Sequence, residues 1–329
     1  MDTTAPTAAT LWTTWTWSPV ADVLIALAMV GYLTLATRHR RSGHSWPVAR
    51  VVSWLAAGLG VVLAVNSALA VYGHQLFWVH MLVHLLLIMI VPALAVWAQP
   101  IRLLHDAGGL RVSSAVDAAR NSVAFRVVVS PWMTVPLYVG VIVLTHLTGF
   151  QQAMSQHVWI HDTELVLYLI SGYLLLLPLV GNELTTKTPP PHLLRFVILA
   201  LCMGPDTLVG VILMMAGTAL APAYAASRDW GPTALVDQSA AGAIMWFGGD
   251  GLMMILMVVV GGRWVSSGGG ARSLGPWLDQ IRNQAVLGGD TDSAGDIDDD
   301  DAALRAYNAR LAALHGRTAQ QPNGSSRDE

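Results

Sequence analysis

Seven apolar stretches dominate the sequence, at roughly residues 19–37, 50–71, 76–98, 127–148, 160–181, 193–217 and 240–262. Each supplies about 20 mostly apolar residues, the length an α-helix needs to cross a hydrocarbon core. In hydrocarbon every backbone N–H and C=O must find its partner within the protein, and continuous runs of this length achieve that as helices. The predicted fold is therefore all-α, a polytopic membrane protein with seven transmembrane helices. Composition agrees, because 54% of the 329 residues are hydrophobic and 12% are charged, against about a quarter charged in an ordinary soluble domain.

Seven crossings leave the two termini on opposite sides, and the basic residues set the direction. Arg38, Arg40, Arg41 and Arg50 flank the first connection, Arg102, Arg111, Arg120 and Arg126 fill the third, and Lys187 and Arg195 lie in the fifth. Arg263, Arg272, Arg282, Arg305, Arg310, Arg317 and Arg327 follow the last span, and Arg228 alone falls on the other side. The positive-inside rule then predicts an N-terminus outside and a cytoplasmic C-terminus. Trp12, Trp15 and Trp17 precede the first span, and Trp78, Trp97, Trp132, Trp159, Trp246 and Trp264 lie near other span ends, as interfacial anchors do.

Three segments are expected: an extracytoplasmic stretch at 1–18, the seven-helix domain at 19–264, and a cytoplasmic acidic linker with a short helix at 265–329. Residues 1–18 carry no Lys or Arg, so they lack the basic region of a cleavable signal peptide, and the first span is expected to stay as an anchor. Residues 265–296 are rich in Gly, Ser and Asp and read as a flexible linker. Leu304, Tyr307, Leu311 and Leu314 recur at helical spacing after Asp301, a residue type suited to an N-cap. Asp290, Asp292, Gly295, Asp296, Asp298 and Asp301 follow an EF-hand loop only in part, since Ala294 fills the fifth position and Asp the twelfth. The single cysteine, Cys202, excludes a disulfide framework and any Cys-x-x-Cys motif. The chain shows no phosphate-binding loop, no nucleic-acid surface and no paired base and nucleophile, so no enzymatic chemistry is expected.

Histidine placement carries the functional signal. His80 and His84 stand four residues apart in the outer half of the third span, on one helical face. His157 and His161 repeat the spacing where the fifth span begins, His146 ends the fourth, and His74 precedes the third. The predicted topology puts all six on the extracytoplasmic side. Ionisable groups inside spans are costly and mark function, so the cluster reads as a metal or haem site, with His80 and His84 its firmest members. Imidazole suits copper, zinc, nickel and iron, and an added thioether favours Cu(I). Met81, Met154, Met214, Met215 and Met245 lie close enough in sequence or depth to contribute, although methionine at helical spacing more often simply packs. His39, His44, His105, His192 and His315 fall in or beside cytoplasmic segments and read as solvated.

Asp206 and Asp250 lie near the middles of the sixth and seventh spans beside Pro205 and Gly249. Each should face the bundle interior, either as a helix–helix tie or in passage of an ion or proton. Asp237 and Gln238, where the seventh span begins, are placed either to cap that helix or to orient a histidine.

In these residues the chain resembles the membrane-integral CtaG family of bacterial cytochrome c oxidase assembly factors, over roughly residues 20–264. The likeness rests on ordered pieces: His80-Met81-Leu82-Val83-His84 with Val91-Pro92-Ala93-Leu94 and Pro100; Thr145-His146 with His161; Gly172-Tyr173 with Pro178-Leu179; and Asp237-Gln238, Ala241-Gly242 and Trp246. The resemblance implies a non-enzymatic factor for haem-copper oxidase assembly that acts around copper delivery at the extracytoplasmic face, with an oxidase subunit or copper chaperone as partner. It makes His80, His84, His146 and His161 candidate copper ligands by matching position. Asp206 departs from the family pattern, which leads to a histidine there, while Asp250 keeps an acidic position. Two other functions fit histidines in spans: a haem-b-binding electron-transfer protein, which needs one axial ligand from each of two helices, and a copper permease, which needs sites continuing to the inner face.

Overall fold

The computed structural model describes residues 5–154, 157–181, 190–226 and 228–266. Regular structure among the described residues is helical, with no strand. The long helices are α1 (Pro19–Arg41), α2 (Val48–Asn66), α3 (Phe77–Ala107), α4 (Pro131–Leu147), α5 (Val158–Leu179), α6 (His192–Met215) and α7 (Ala234–Ser266). Six of them, all but α4, are long and apolar enough to cross a membrane. Residues up to Arg263 form one compact unit and residues 264–329 a second. The acidic linker, the partial EF-hand pattern and the short helix expected after Asp301 lie outside the described residues.

Two expected spans are shorter than the apolar pattern suggests, each for a local reason. The run 127–148 is divided: a short helix, Val123–Val128, stops, and α4 begins afresh with Pro131 as its first residue, where a missing N–H costs nothing. α4 has 17 residues, about 25 Å at 1.5 Å per residue. The run 50–71 breaks at Ser67, whose hydroxyl donates to the Leu63 carbonyl at 2.6 Å and accepts from the Leu69 amide at 3.1 Å. That side chain ends α2 and starts a short helix, Ala68–Gly73. Neighbouring Asn66 donates to Asp22 of α1 at 2.6 Å, tying the adjacent helix ends together.

The main core lies among α3, α4, α5, α6 and α7, around Met81, Leu87, Tyr138, Leu175, Leu199 and Met253. α1 stands to one side, with Val20, Val23, Leu24, Leu27 and Val30 exposed along it, as a lipid-facing row requires. Its attachment is polar: the Tyr32 hydroxyl donates to the Ala98 carbonyl at 2.7 Å and accepts from the Trp46 indole at 3.1 Å.

α3 is the most irregular helix and the most constrained. Its first two amides, Phe77 and Trp78, each donate to one oxygen of Asp237 at 3.0 Å. A π-helical turn at Leu86–Ile90 follows, marked by the Val91 amide reaching back to the Leu86 carbonyl. Pro92 lacks the N–H that would bond the Ile88 carbonyl. α5 packs against that same carbonyl through Gly172, where a Cβ would collide with the Ile88 backbone. The Val91-Pro92 and Gly172 pieces of the sequence pattern thus meet at one crossing. α6 and α7 cross in a similar way, with Gly210 and Gly242 each facing the other's carbonyl oxygen.

Gly172→Ala is expected to destabilise the bundle by about 1–3 kcal/mol, the usual scale of overpacking. Gly140→Ala, facing open space in α4, should leave stability unchanged or slightly raised. Thermal unfolding of both variants in detergent provides the comparison, and equal melting temperatures would contradict the close α3–α5 crossing.

Candidate metal centre

Helical spacing on three helices brings the site together. On α3, His80 and His84 are one turn apart and buried. On α5, His161, Glu164 and Tyr168 follow at intervals of three and four residues and so share one face. On α4, Tyr138, Thr145 and His146 point inward and are buried. α4 returns the chain to the end at which α3 and α5 begin, and this histidine end is where the rings meet.

Glu164 sits at the centre with no exposed surface. Its two oxygens lie 3.4 Å from His80 Nε2 and 3.5 Å from His84 Nε2. Among the described residues, His80, His84 and Glu164 offer ligand atoms within 4.8 Å of one another. The carboxylate is aimed from behind: Gln151 Nε2 donates to Glu164 Oε1 at 2.9 Å, and the Tyr224 hydroxyl donates to Gln151 Oε1 at 3.2 Å. His146 is fixed just as firmly. Its Nδ1–H donates to the Ile142 carbonyl at 2.9 Å, so the Nε2 lone pair is left free. Thr145 and Tyr168, hydrogen-bonded to each other at 2.7 Å, close around the same nitrogen. The His146 ring is 5.3 Å from His84 between ring centres, and Tyr168 stacks on His84 at 4.0 Å.

Buried nitrogen and oxygen atoms without a hydrogen-bond partner are rare, yet five converge here: His80 Nε2, His84 Nδ1 and Nε2, His146 Nε2 and Glu164 Oε2. Four of them can donate an electron pair to a cation at once, since a neutral imidazole has one free lone pair and His84 offers it through either Nδ1 or Nε2. Beside His84 and His146 a cavity of about 20 Å³ is lined by Met81, Met89, Met245, Tyr138 and Asp206, among others. Two of the methionines singled out in the sequence, Met81 and Met245, therefore lie next to imidazoles; Met154 is buried in the main core.

The remaining expected site residues are distributed around this centre. His161 packs near His80 at 5.8 Å and nearer His74 at 4.5 Å, and His157 is exposed at the start of α5. Asp206 accepts the Tyr138 hydroxyl at 3.0 Å on the far side of the cavity, and Asp250 accepts the Thr207 hydroxyl at 2.7 Å. Both are helix–helix ties. Asp237 does not cap its own helix. Thr233 caps the start of α7, and Asp237 caps α3 instead, one turn above His80, while pairing with Arg228 at 3.0 Å. Gln238 accepts from the Leu220 amide at 2.7 Å and donates to the Leu213 carbonyl at 3.2 Å, holding the end of α6. His39 is buried against His44 and Trp46 rather than solvated.

Glu164, Gln151, Tyr168 and Tyr224 went unread in the sequence. Glu164 carried a usable signal, since it is an acidic residue inside an apolar span and three residues after His161. The other three carried none, because their importance comes from contacts across the fold.

The chain matches the family described as cytochrome c oxidase caa3 assembly factor (Caa3_CtaG) over residues 30–267. It is a multi-pass membrane protein of that family. An uncharacterized protein of Mycobacterium leprae is 26% identical over 94% of this chain, and uncharacterized proteins of Mycobacterium bovis and Mycobacterium tuberculosis are each 27% identical over the same share. The chain spans 46% of the length of each of these relatives. No solved structure matches it.

Asp237→Asn should leave Arg228 buried without its counter-charge, at a cost of about 3–5 kcal/mol, and weaken the cap on α3. Hydrogen exchange followed by mass spectrometry is expected to show faster exchange at residues 77–84 in this variant. Exchange unchanged from wild type would remove Asp237 from the positioning of His80.

Proposed function

We propose that the protein assists assembly of a haem-copper cytochrome c oxidase by holding copper at His80, His84 and Glu164, with His146 completing the ligand set. The observation that carries this reading is the convergence of four buried residues from three helices, His80, His84, His146 and Glu164, each with a buried nitrogen or oxygen that has no hydrogen-bond partner. Two imidazoles and a carboxylate would bind copper through nitrogen and oxygen, and His146, with its Nε2 lone pair free, supplies a further nitrogen. The adjacent Met81, Met89 and Met245 favour copper over zinc or nickel, since thioethers suit Cu(I). Copper supplies the missing positive charge beside Glu164, and the chain's own groups do the rest. Gln151 and Tyr224 orient the carboxylate, the Ile142 carbonyl fixes the His146 tautomer, and Tyr168 covers His84.

The site lies on the extracytoplasmic side of a bacterial plasma membrane in this reading. α4 acts as a seventh, short crossing between the arginine-bearing end, near Arg126, and the histidine end. The N-terminus is then outside and the C-terminus inside. The partner is an oxidase subunit or a copper chaperone, and the role is delivery rather than catalysis.

Two observations favour this over the alternatives. The cavity beside His84 and His146 is about 20 Å³, room for about one water molecule rather than a porphyrin, which argues against haem. At the opposite end of α5, Arg195 and Arg263 donate to the Leu179 and Val180 carbonyls at 3.4 and 2.6 Å. A cation leaving toward that side would meet two guanidinium groups, which argues against a permease.

The test is metal content with a visible spectrum, measured on purified wild-type protein, His80→Ala/His84→Ala and Glu164→Gln after equilibration with Cu(I) and with Cu(II). Near-stoichiometric copper is expected in the wild type and loss in the double variant. Glu164→Gln should weaken binding by about 10–100-fold, the scale for losing one supporting group at a metal site. A Soret band would replace copper with haem, and full copper in the double variant would end the proposal.

A further inference from the structure

The rings of five histidines form a continuous stair. Centre-to-centre distances are 4.5 Å from His74 to His161, 5.8 Å from His161 to His80, 4.1 Å from His80 to His84, and 5.3 Å from His84 to His146. Accessibility falls along it. His74 is exposed, the His161 side chain keeps 14% of its surface, and His80, His84 and His146 keep 1–2%. Only the lower part of the stair contains Glu164; at the upper part the nearest carboxylate is the exposed Asp162, 3.6 Å from His161 Nδ1.

An imidazole nitrogen binds a transition-metal ion at about 2 Å, so two rings with centres within about 6 Å can share one ion. Every step satisfies that limit. An ion can therefore gain a bond to the next imidazole before it loses its bond to the last, and it never has to enter the low-dielectric interior without ligands. The polarity of the stair is built in as well. Its exposed top has neutral imidazoles and one solvated carboxylate, and its buried floor adds a fully desolvated carboxylate, so an ion gains binding energy on the way down.

We infer that His74 and His161 form a receiving site for copper, separate from the buried centre, from which the ion passes by ligand exchange, first to His80, into the buried site at His80, His84, Glu164 and His146. This rests on the buried copper site proposed above. Transfer involves no redox step: the ion keeps its oxidation state, its bonds to His74 and His161 break, and bonds to His80, His84 and Glu164 form. The substrate at the receiving site is Cu(I) bound to an exchangeable donor outside the membrane. His74, the most exposed of the five residues, is the one that reaches it first.

The test follows transfer of Cu(I) from its coloured bicinchoninate complex to the full-length protein in detergent by stopped-flow absorbance. His74→Ala/His161→Ala is expected to slow transfer by about tenfold or more, the scale of losing metal-site support, while reaching the same final copper content as wild type. That unchanged end-point also reports an intact fold. His80→Ala/His84→Ala should still take up copper rapidly but hold it weakly, losing it to excess bicinchoninate. A wild-type rate in the His74/His161 variant overturns the receiving site and leaves the buried site standing. A lower final content in that variant overturns the inference by making those residues ligands of the buried ion. No copper uptake by the wild type overturns both readings.

Discussion

A carboxylate with no access to water, placed between two imidazoles, demands a positive charge beside it. Glu164 is in that position, and its partners among the described residues supply no permanent one: Gln151 gives a neutral hydrogen bond, and the nearest ionisable groups are rings that are charged only when protonated. Burying an ionised group without compensation costs several kcal/mol even after relaxation. A proton on one of the rings or on the carboxylate itself, or a metal ion in the proposed site, would each provide that compensation.

A carboxylate shared between two rings also requires that the helices carrying these groups hold them in place. α3 meets that requirement through constraints at both ends of its histidine-bearing half. Asp237 fixes the first turn above His80, and the π-helical turn with Pro92, locked against Gly172 of α5, fixes the backbone just below His84. The two imidazoles are thus held on a segment of only a few turns whose ends cannot slide. Glu164 and Tyr168 share α5 with Gly172, so the contact that sets the α3–α5 distance also sets the distance from carboxylate to rings.

Much of this was legible in the sequence because hydrophobic length and histidine spacing are local signals. The helical class, most of the long helices, and the pairing of His80 with His84 and His146 can be read from one-dimensional patterns. The shortness of α4 and the break at Ser67 were hidden inside continuous apolar runs, since hydropathy does not register a proline at a helix start or a serine that bonds its own backbone. Glu164 is a different case: it lies one turn inside a span end, three residues after His161, and only the packing of α3 against α5 brings it between His80 and His84. The true partner of Asp237 lay some 160 positions away in sequence, at the first turn of α3. No spacing rule within α7 points there.

Arg228 is the one basic side chain that the sequence places on the histidine side, and its guanidinium is consumed. It pairs with Asp237 and donates to the Gln75 and Trp230 carbonyls, with 2% of its side chain exposed. Among the described residues, the solvent-facing groups left near that end include Asp162 and Asp229. The face therefore presents a negative electrostatic potential, focused by the low dielectric of the surrounding bilayer. Positively charged solutes are drawn to it most strongly at low ionic strength. Long-range attraction thus acts on an approaching cation before any side chain has been touched.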